Sequence, residues 1–130
     1  MKTLVIEDNK LVGLMTQEIM ERYGPCDVAF DPVEGFNKYV NSVSTSNPYD
    51  LIYLDIIMPI YNGYQLLEMI RNYESSRGIK NPVKCIIVSA LTGEEHKAKA
   101  LTLGADGYFY KPFNINDFNS FLKEKGLIWR

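Results

Sequence analysis

Three carboxylates, a hydroxyl and an ammonium occupy places where they could act together: Glu7 and Asp8, Asp55, Ser89, and Lys111. Each follows directly on a short apolar run. Glu7-Asp8 follows Leu4-Val5-Ile6, and Asp55 follows Leu51-Ile52-Tyr53-Leu54. Ser89 follows the run from Val83 to Val88, and Lys111 the run from Gly107 to Tyr110. If these runs are strands of one open α/β sheet, all five residues meet at its carboxyl rim, where such sheets bind ligands. Three acids so close repel, and at least one pKa rises unless a cation intervenes. Oxygen ligands suit magnesium, which keeps several waters and commonly binds substrate phosphate. Glu7 and Asp8 can supply carboxylates, directly or through water. Asp55 can give one oxygen to the metal and use the other as a nucleophile on phosphorus, forming an aspartyl-phosphate. Magnesium and Lys111 would neutralise the phosphoryl oxygens during transfer, and the Ser89 hydroxyl can donate to one of them.

Taken singly, each residue has an ordinary reading. Adjacent acids after a strand often serve a helix N-terminus, where the dipole favours them. A lone aspartate there is commonly a turn residue, serine often ends strands, and lysine is mostly solvated. The weight lies in the joint placement after the first, third, fourth and fifth apolar runs. The second run offers only Asp31, which reads as a helix cap.

The elements that must position these groups alternate regularly. The first strand is Thr3 to Ile6. A helical stretch from about Leu11 to Tyr23 carries Leu11, Leu14, Met15, Ile19 and Met20 near helical spacing and ends at Gly24-Pro25. Cys26 to Phe30 is a weaker strand. Asp31-Pro32 gives a cap and a first-turn proline to a helix holding Val33, Phe36, Tyr39, Val40 and Val43. The continuous apolar character of Leu51 to Leu54 predicts burial on both faces, as in a parallel sheet. Met58-Pro59 and Asn62-Gly63 mark a loop. A helix from about Gly63 to Ser75 turns Leu66, Leu67, Met69 and Ile70 inward, and Arg77 to Pro82 is a rather long polar connection. Val83 to Val88, a helix from Glu94 to Leu103 ended by Gly104, the strand Gly107 to Tyr110, and a helix from Asn114 to about Lys125 complete five βα units. Parallel strands joined by right-handed crossovers give an α/β sheet covered on both faces.

Composition agrees and excludes alternatives. The chain has 130 residues, 46% hydrophobic and 23% charged, enough for one domain with its own core. A net charge of -2 without a dominant basic cluster argues against direct nucleic-acid binding. Cys26 and Cys85 sit in apolar contexts and read as reduced core thiols of a cytosolic protein. His96, the sole histidine, lies beside Glu94 and Glu95 and reads as a solvated helix residue rather than a ligand or base. The first apolar run stops too soon for a leader, and no apolar stretch approaches the ~20 residues of a membrane span. The expectation is a cytoplasmic location without a membrane anchor.

The ordered motifs resemble the receiver domains of two-component response regulators over about Lys2 to Lys125. They are Ile6-Glu7-Asp8, Leu54-Asp55-Ile56-Ile57-Met58-Pro59 with Asn62-Gly63, Val88-Ser89-Ala90, Gly104-Ala105-Asp106-Gly107-Tyr108, and Lys111-Pro112-Phe113. The resemblance implies a single receiver domain over 1–130 with a flavodoxin-like five-stranded parallel sheet of order 2-1-3-4-5 flanked by five helices. It implies magnesium-dependent phosphoryl transfer to Asp55 from a sensor histidine kinase or a histidine phosphotransfer protein. Such a domain catalyses only its own phosphorylation and dephosphorylation. Glu7 and Asp8 match the metal-binding acidic pair, and the backbone carbonyl of Ile57 the third protein ligand beside Asp55. Ser89 matches the switch hydroxyl, Lys111 the phosphate-pairing lysine, and Tyr108 the aromatic that turns inward, although it also reads as a plain core aromatic. In the family the Lys-Pro peptide is typically cis. The partner face is that of the fourth helix, fifth strand and fifth helix, and two copies could pair on phosphorylation.

Asn62-Gly63 departs from the family's commoner Asp-Gly, with the glycine expected to supply the turn. The long exit before the fourth strand suggests an extended third helix. Ile57 and Leu91, two past Asp55 and Ser89, are apolar and are expected to impede an attacking water. Two other classes compete. A degenerate receiver acting only as an interaction module should lack an acid, the acceptor or the lysine, and none is missing. An aspartyl phosphatase should carry a second aspartate two residues past the nucleophile, where Ile57 stands.

Overall fold

The computed structural model describes residues 1–58 and 61–128. Pro59 of the loop motif, and Trp129 and Arg130 of the tail, lie outside the described residues. The elements run β1 (Thr3–Ile6), α1 (Lys10–Met20), a 3-10 turn (Glu21–Tyr23), β2 (Cys26–Ala29), α2 (Pro32–Val43), β3 (Leu51–Leu54), α3 (Gly63–Arg77), β4 (Lys84–Ser89), α4 (Glu94–Thr102), β5 (Gly107–Tyr110) and α5 (Ile115–Glu124). The strands form one sheet of order β2-β1-β3-β4-β5, parallel throughout.

Alternation along each strand feeds two cores. Leu4, Ile6, Ile52, Leu54, Cys85 and Ile87 pack on one face with Leu66, Leu67 and Ile70 of α3. Val5, Leu51, Tyr53, Ile86 and Val88 pack on the other with Met20 of α1 and Phe118 and Leu122 of α5. Full burial of each such side chain stabilises by about 1.5–3 kcal/mol. Cys26 and Cys85 are free, buried thiols, as expected.

Helix ends follow local chemistry. Asn9, Asp31, Asn62 and Asn114 each cap a helix through a side-chain oxygen. Asn62 also joins a reciprocal capping box with Gln65. Helix α3 runs two residues past its expected end and closes on Gly78 at φ 61°, which accounts for part of the long exit.

One expectation, in α3, needs correction, and in α1 the spacing marks a helix without showing which side faces in. Of Leu11, Leu14, Met15, Ile19 and Met20, only Met20 is buried. Leu11, Leu14, Met15 and Ile19 are exposed, while Gly13, Thr16 and Met20 are buried. Gly13 faces inward because Phe30 and Val28 press against it, with atoms 3.1 and 3.2 Å from where a Cβ would sit. In α3, Met69 is half-buried rather than inward.

At the end of the sheet away from the rim, Arg71 binds α3 to the starts of β4 and β5. It donates to the Val83 carbonyl at 2.8 Å, the Gly104 carbonyl at 3.0 Å, Glu74 at 2.7 Å and Asp106 at 3.0 Å. Buried Glu74 also accepts from the Tyr39 hydroxyl at 2.7 Å and from Val83 N–H at 2.8 Å. Asp106, part of a sequence motif above, thus has a structural task.

Candidate functional site

The hydrogen-bond ladder runs one residue beyond the strands, and this sets the rim. Ile6 pairs with Leu54, and Asp55 N–H then donates to the Ile6 carbonyl at 3.3 Å. Glu7 N–H donates to Ala29 at 3.0 Å and Lys111 N–H to Ser89 at 2.8 Å. Strand register alone therefore brings Glu7 beside Asp55 and Lys111 beside Ser89.

Carboxylate oxygens of Glu7, Asp8 and Asp55 all lie within 4.8 Å of one another. Glu7 is buried and Asp8 exposed, so the cluster opens to solvent on one side. Lys111 Nζ stands 3.3 Å from Glu7 Oε1 and 3.9 Å from Asp55 Oδ2. Burial, first of all, pushes the Asp55 carboxyl above its usual range, and Asp8 adds to the rise. Lys111 and the backbone N–H groups of Ile56 and Ile57 oppose it. Glu7 is also raised, chiefly by burial and further by Asp55, against a bond from Asn9 N–H and the charge of Lys111. One ammonium does not balance three clustered acids. Oxygen donors at this spacing, with an unfavourable excess of negative charge, fit a hard divalent cation such as magnesium.

Ser89 is buried, and its Oγ accepts from Leu91 N–H at 3.1 Å. Tyr108 is buried too, and its hydroxyl donates to the Leu91 carbonyl at 2.8 Å. Tyr108 therefore points inward here, over the segment that follows Ser89. The Lys111–Pro112 peptide is cis, as the resemblance implies. Ile57 stands 62% exposed beside the acceptor, and Leu91 is half-buried. So Glu7, Asp8, Asp55 and Lys111 share one site, with Ile57 beside Asp55 and with Ser89 and Tyr108 meeting through Leu91.

Gly63 does more than turn the chain. A Cβ there would lie 2.4 Å from the Asp55 carbonyl oxygen and 2.9 Å from Ile56 Cα. Glycine lets the start of α3 close on the backbone of the acceptor, and Gly63 N–H donates to Ile56 at 2.8 Å. His96 is the other correction. It is half-buried and meets the Tyr64 hydroxyl at 3.2 Å. Helical position alone hides this contact, because Tyr64 lies 32 residues away.

The family model for the response regulator receiver domain matches residues 3–123. The chain belongs to this family. Among relatives, the transcriptional regulatory protein CusR of Escherichia coli K12 is 35% identical over 114 residues, covering 87% of this chain and 45% of CusR. The chemotaxis protein CheY of Treponema pallidum is 36% identical over 115 residues, covering 87% of this chain and 74% of CheY. The receiver domain of the Francisella response regulator 1452 superposes with a TM-score of 0.74 at 32% identity, covering 95% of this chain and 98% of that one. The chain thus spans less than half the length of CusR and most of CheY. It is a receiver domain of two-component signalling, a signalling module with the acidic pocket at which receivers generally bind magnesium. Among the described residues, no helix is long and apolar enough to cross a membrane.

Proposed function

We propose that this receiver accepts a phosphoryl group on Asp55 from a sensor histidine kinase or a histidine phosphotransfer protein, as one domain over 1–130. One observation carries the reading: Asp55 lies within 4.8 Å of two further acids and 3.9 Å from the Lys111 ammonium. Asp55 is the nucleophile. Its free carboxylate oxygen bonds to phosphorus, the phosphorus–nitrogen bond of the donor breaks, and the imidazole leaves with that electron pair. Glu7, Asp8, Asp55 and the Ile57 carbonyl would hold magnesium, which supplies charge neutralisation at the phosphoryl oxygens when bound. Lys111 lies close enough to move its ammonium from Glu7 toward the new phosphoryl charge. Ser89 is placed to donate its hydroxyl once it releases Leu91 N–H.

The switch follows from shared contacts. If Ser89 turns toward phosphate, Leu91 N–H loses its acceptor, and the segment into α4 carries the change to Tyr108. The face of α4, β5 and α5 then differs between the two states, as any switch requires. That face is the proposed site for a downstream protein, with no direct nucleic-acid contact, in the cytoplasm. Pairing of two copies on phosphorylation would use the same face.

The donor needs a surface as well. Leu11, Leu14, Met15 and Ile19 form an exposed apolar strip on α1, the helix that starts two residues after Asp8. A groove of about 620 Å³, walled by Val12, Ile19, Pro112, Phe113 and Ile115, links this strip to Lys111. An apolar helical surface carrying the phosphohistidine fits it.

The test is incubation with magnesium and acetyl phosphate, read by intact mass. A gain of one phosphate, absent in Asp55→Asn, is expected. No gain from acetyl phosphate or from a phosphohistidine donor would leave only an interaction module.

A further inference from the structure

Helix α4 has few attachments. Among its described residues only Ala100 is buried, and its N-cap position is Gly93, which supplies no side-chain cap. Two tyrosine hydroxyls grip backbone carbonyls around its start. Tyr108 holds Leu91, as described above. Tyr64, in the first turn of α3, sets its hydroxyl 3.3 Å from the His96 carbonyl oxygen and 3.2 Å from His96 Nδ1. One turn on, the Lys99 ammonium lies 4.6 Å from the centre of the Tyr64 ring. Tyr64 is buried and takes no part in the phosphoryl chemistry.

We propose that Tyr64 is a positioning residue that latches α4 to α3 through His96, and that the latch tightens when the imidazole takes up a proton. The proposal rests on the receiver reading, because its effect is on the helix that must move.

The hydroxyl has one proton to give and lone pairs to share. It can donate to the His96 carbonyl while accepting from an Nδ1–H. An imidazolium always carries that Nδ1 proton. A neutral imidazole carries it in only one of its two tautomers. In the other, the carbonyl and Nδ1 compete for a single hydroxyl proton, and one contact is lost. Histidine is the side chain whose charge commonly changes near neutral pH.

The surrounding charges bear on the balance. On α4 these are Glu94, Glu95, Lys97 and Lys99. On α3 they are Tyr64 itself and Glu68, which lines a hollow with Lys99. On β5 it is Tyr108, close enough to Tyr64 for the two to interact. Burial pushes the Tyr64 hydroxyl above the usual phenol range, so it stays a donor throughout. Protonation therefore adds a contact relative to the tautomer that lacks the Nδ1 proton, the added contact holds α4 in its resting place, and the activating ligand must work against it.

Beryllium fluoride with magnesium serves as the probe, titrated into the whole protein and followed by backbone amide NMR from Leu91 to Thr102. Tyr64→Phe keeps the ring beneath Lys99 and removes only the hydroxyl. His96→Gln removes the titration. At about pH 8 the wild type and Tyr64→Phe should show midpoints within about twofold of each other. At about pH 6 the wild type should need about fivefold more probe than Tyr64→Phe, the effect of one net hydrogen bond. His96→Gln should show no such widening. Comparing variants at one pH cancels any effect of pH on the probe itself. A wild-type to Tyr64→Phe ratio that is the same at both pH values, or a widening that survives His96→Gln, overturns the latch. If the wild type neither binds the probe nor gains phosphate from acetyl phosphate, the receiver reading itself has failed and the latch falls with it. If it does both and the ratio is flat, only the latch has failed.

Discussion

The Tyr108 hydroxyl donates to the backbone carbonyl of Leu91 at 2.8 Å. The same residue gives its N–H to Ser89 Oγ at 3.1 Å. Leu91 is therefore held from both sides, by the hydroxyl expected to meet phosphate and by the aromatic expected to report it. Ser89→Ala removes one of these holds and leaves the acceptor, the acidic pair and Lys111 in place. This variant should still gain one phosphate from acetyl phosphate. Its amide shifts across α4, β5 and α5 on phosphorylation should shrink. Shifts as large as those of the wild type would show that Ser89 does not carry the signal.

The lifetime of the phospho-form should depend on Ile57 and Leu91. Ile57 stands 62% exposed beside the acceptor, where a water must approach phosphorus, and its side chain can neither orient that water nor take its proton. Replacing both residues, as Ile57→Asn with Leu91→Gln, should speed hydrolysis by about tenfold, or about 1.4 kcal/mol of barrier. The decay of the phosphorylated mass peak measures this. A lifetime unchanged by the double substitution would place the control elsewhere.

Without metal, the site should weaken the fold as pH rises. Asp55 and Glu7 have folded-state pKa values raised above their ordinary ones, mainly by burial. Between the unfolded and folded pKa the native state binds more protons than the unfolded chain, so stability falls with increasing pH. In EDTA the contribution of these two groups to stability should be largest below the ordinary carboxylate range and should fall as pH climbs through the raised values. Asp55→Asn removes one of the crowded charges and should stabilise the metal-free protein at neutral pH. Magnesium should stabilise the wild type more than the variant. Urea unfolding at several pH values, with and without magnesium, checks both effects. A stabilisation by Asp55→Asn that failed to grow from weakly acidic to neutral pH in the absence of metal would contradict them.

The rim was legible because strand ends are. Each apolar run stops at the polar residue that works, and parallel register then fixes which residues are neighbours. Glu7 meets Asp55 because Ile6 pairs with Leu54. What could not be read depends on contacts between helices or on which side of a helix faces in. The spacing of Leu11, Leu14, Met15 and Ile19 marks a helix, yet the small residues Gly13 and Thr16 face the sheet. Gly63 reads as a turn residue, whereas its need is the approach of α3 to the Asp55 backbone. Tyr64 and His96 meet across two helices, and neither residue signals the other.

Arg71 and Glu74 are predicted to matter for stability and not for phosphorylation. Glu74 is 3% exposed and accepts from Arg71, Tyr39 and Val83 N–H. Glu74→Ala leaves a guanidinium short of its partner and a buried N–H without an acceptor. Loss of about 3 kcal/mol is expected, in the range for breaking a buried ion pair by removing one member. Urea unfolding measures the loss, and the mass gain from acetyl phosphate should persist under conditions where the variant is folded. A loss below about 1 kcal/mol would mean that water replaces the carboxylate at little cost.

The exposed strip on α1 should separate protein donors from small ones. A small phosphodonor needs only the rim, whereas a phosphohistidine on a helical protein must also seat its surroundings. Leu11 is 69% and Met15 56% exposed, one turn apart, so a charge at either place disturbs no core contact of the folded domain. Leu11→Glu and Met15→Glu should therefore leave the rate with acetyl phosphate within about twofold of the wild type, since surface changes seldom exceed ±0.5 kcal/mol in stability. Transfer from a phosphohistidine protein should slow by about tenfold or more, through burial of an unpaired charge at the interface. Equal slowing with both donors would point to damage at the rim. No slowing with either would leave the strip without a part in transfer.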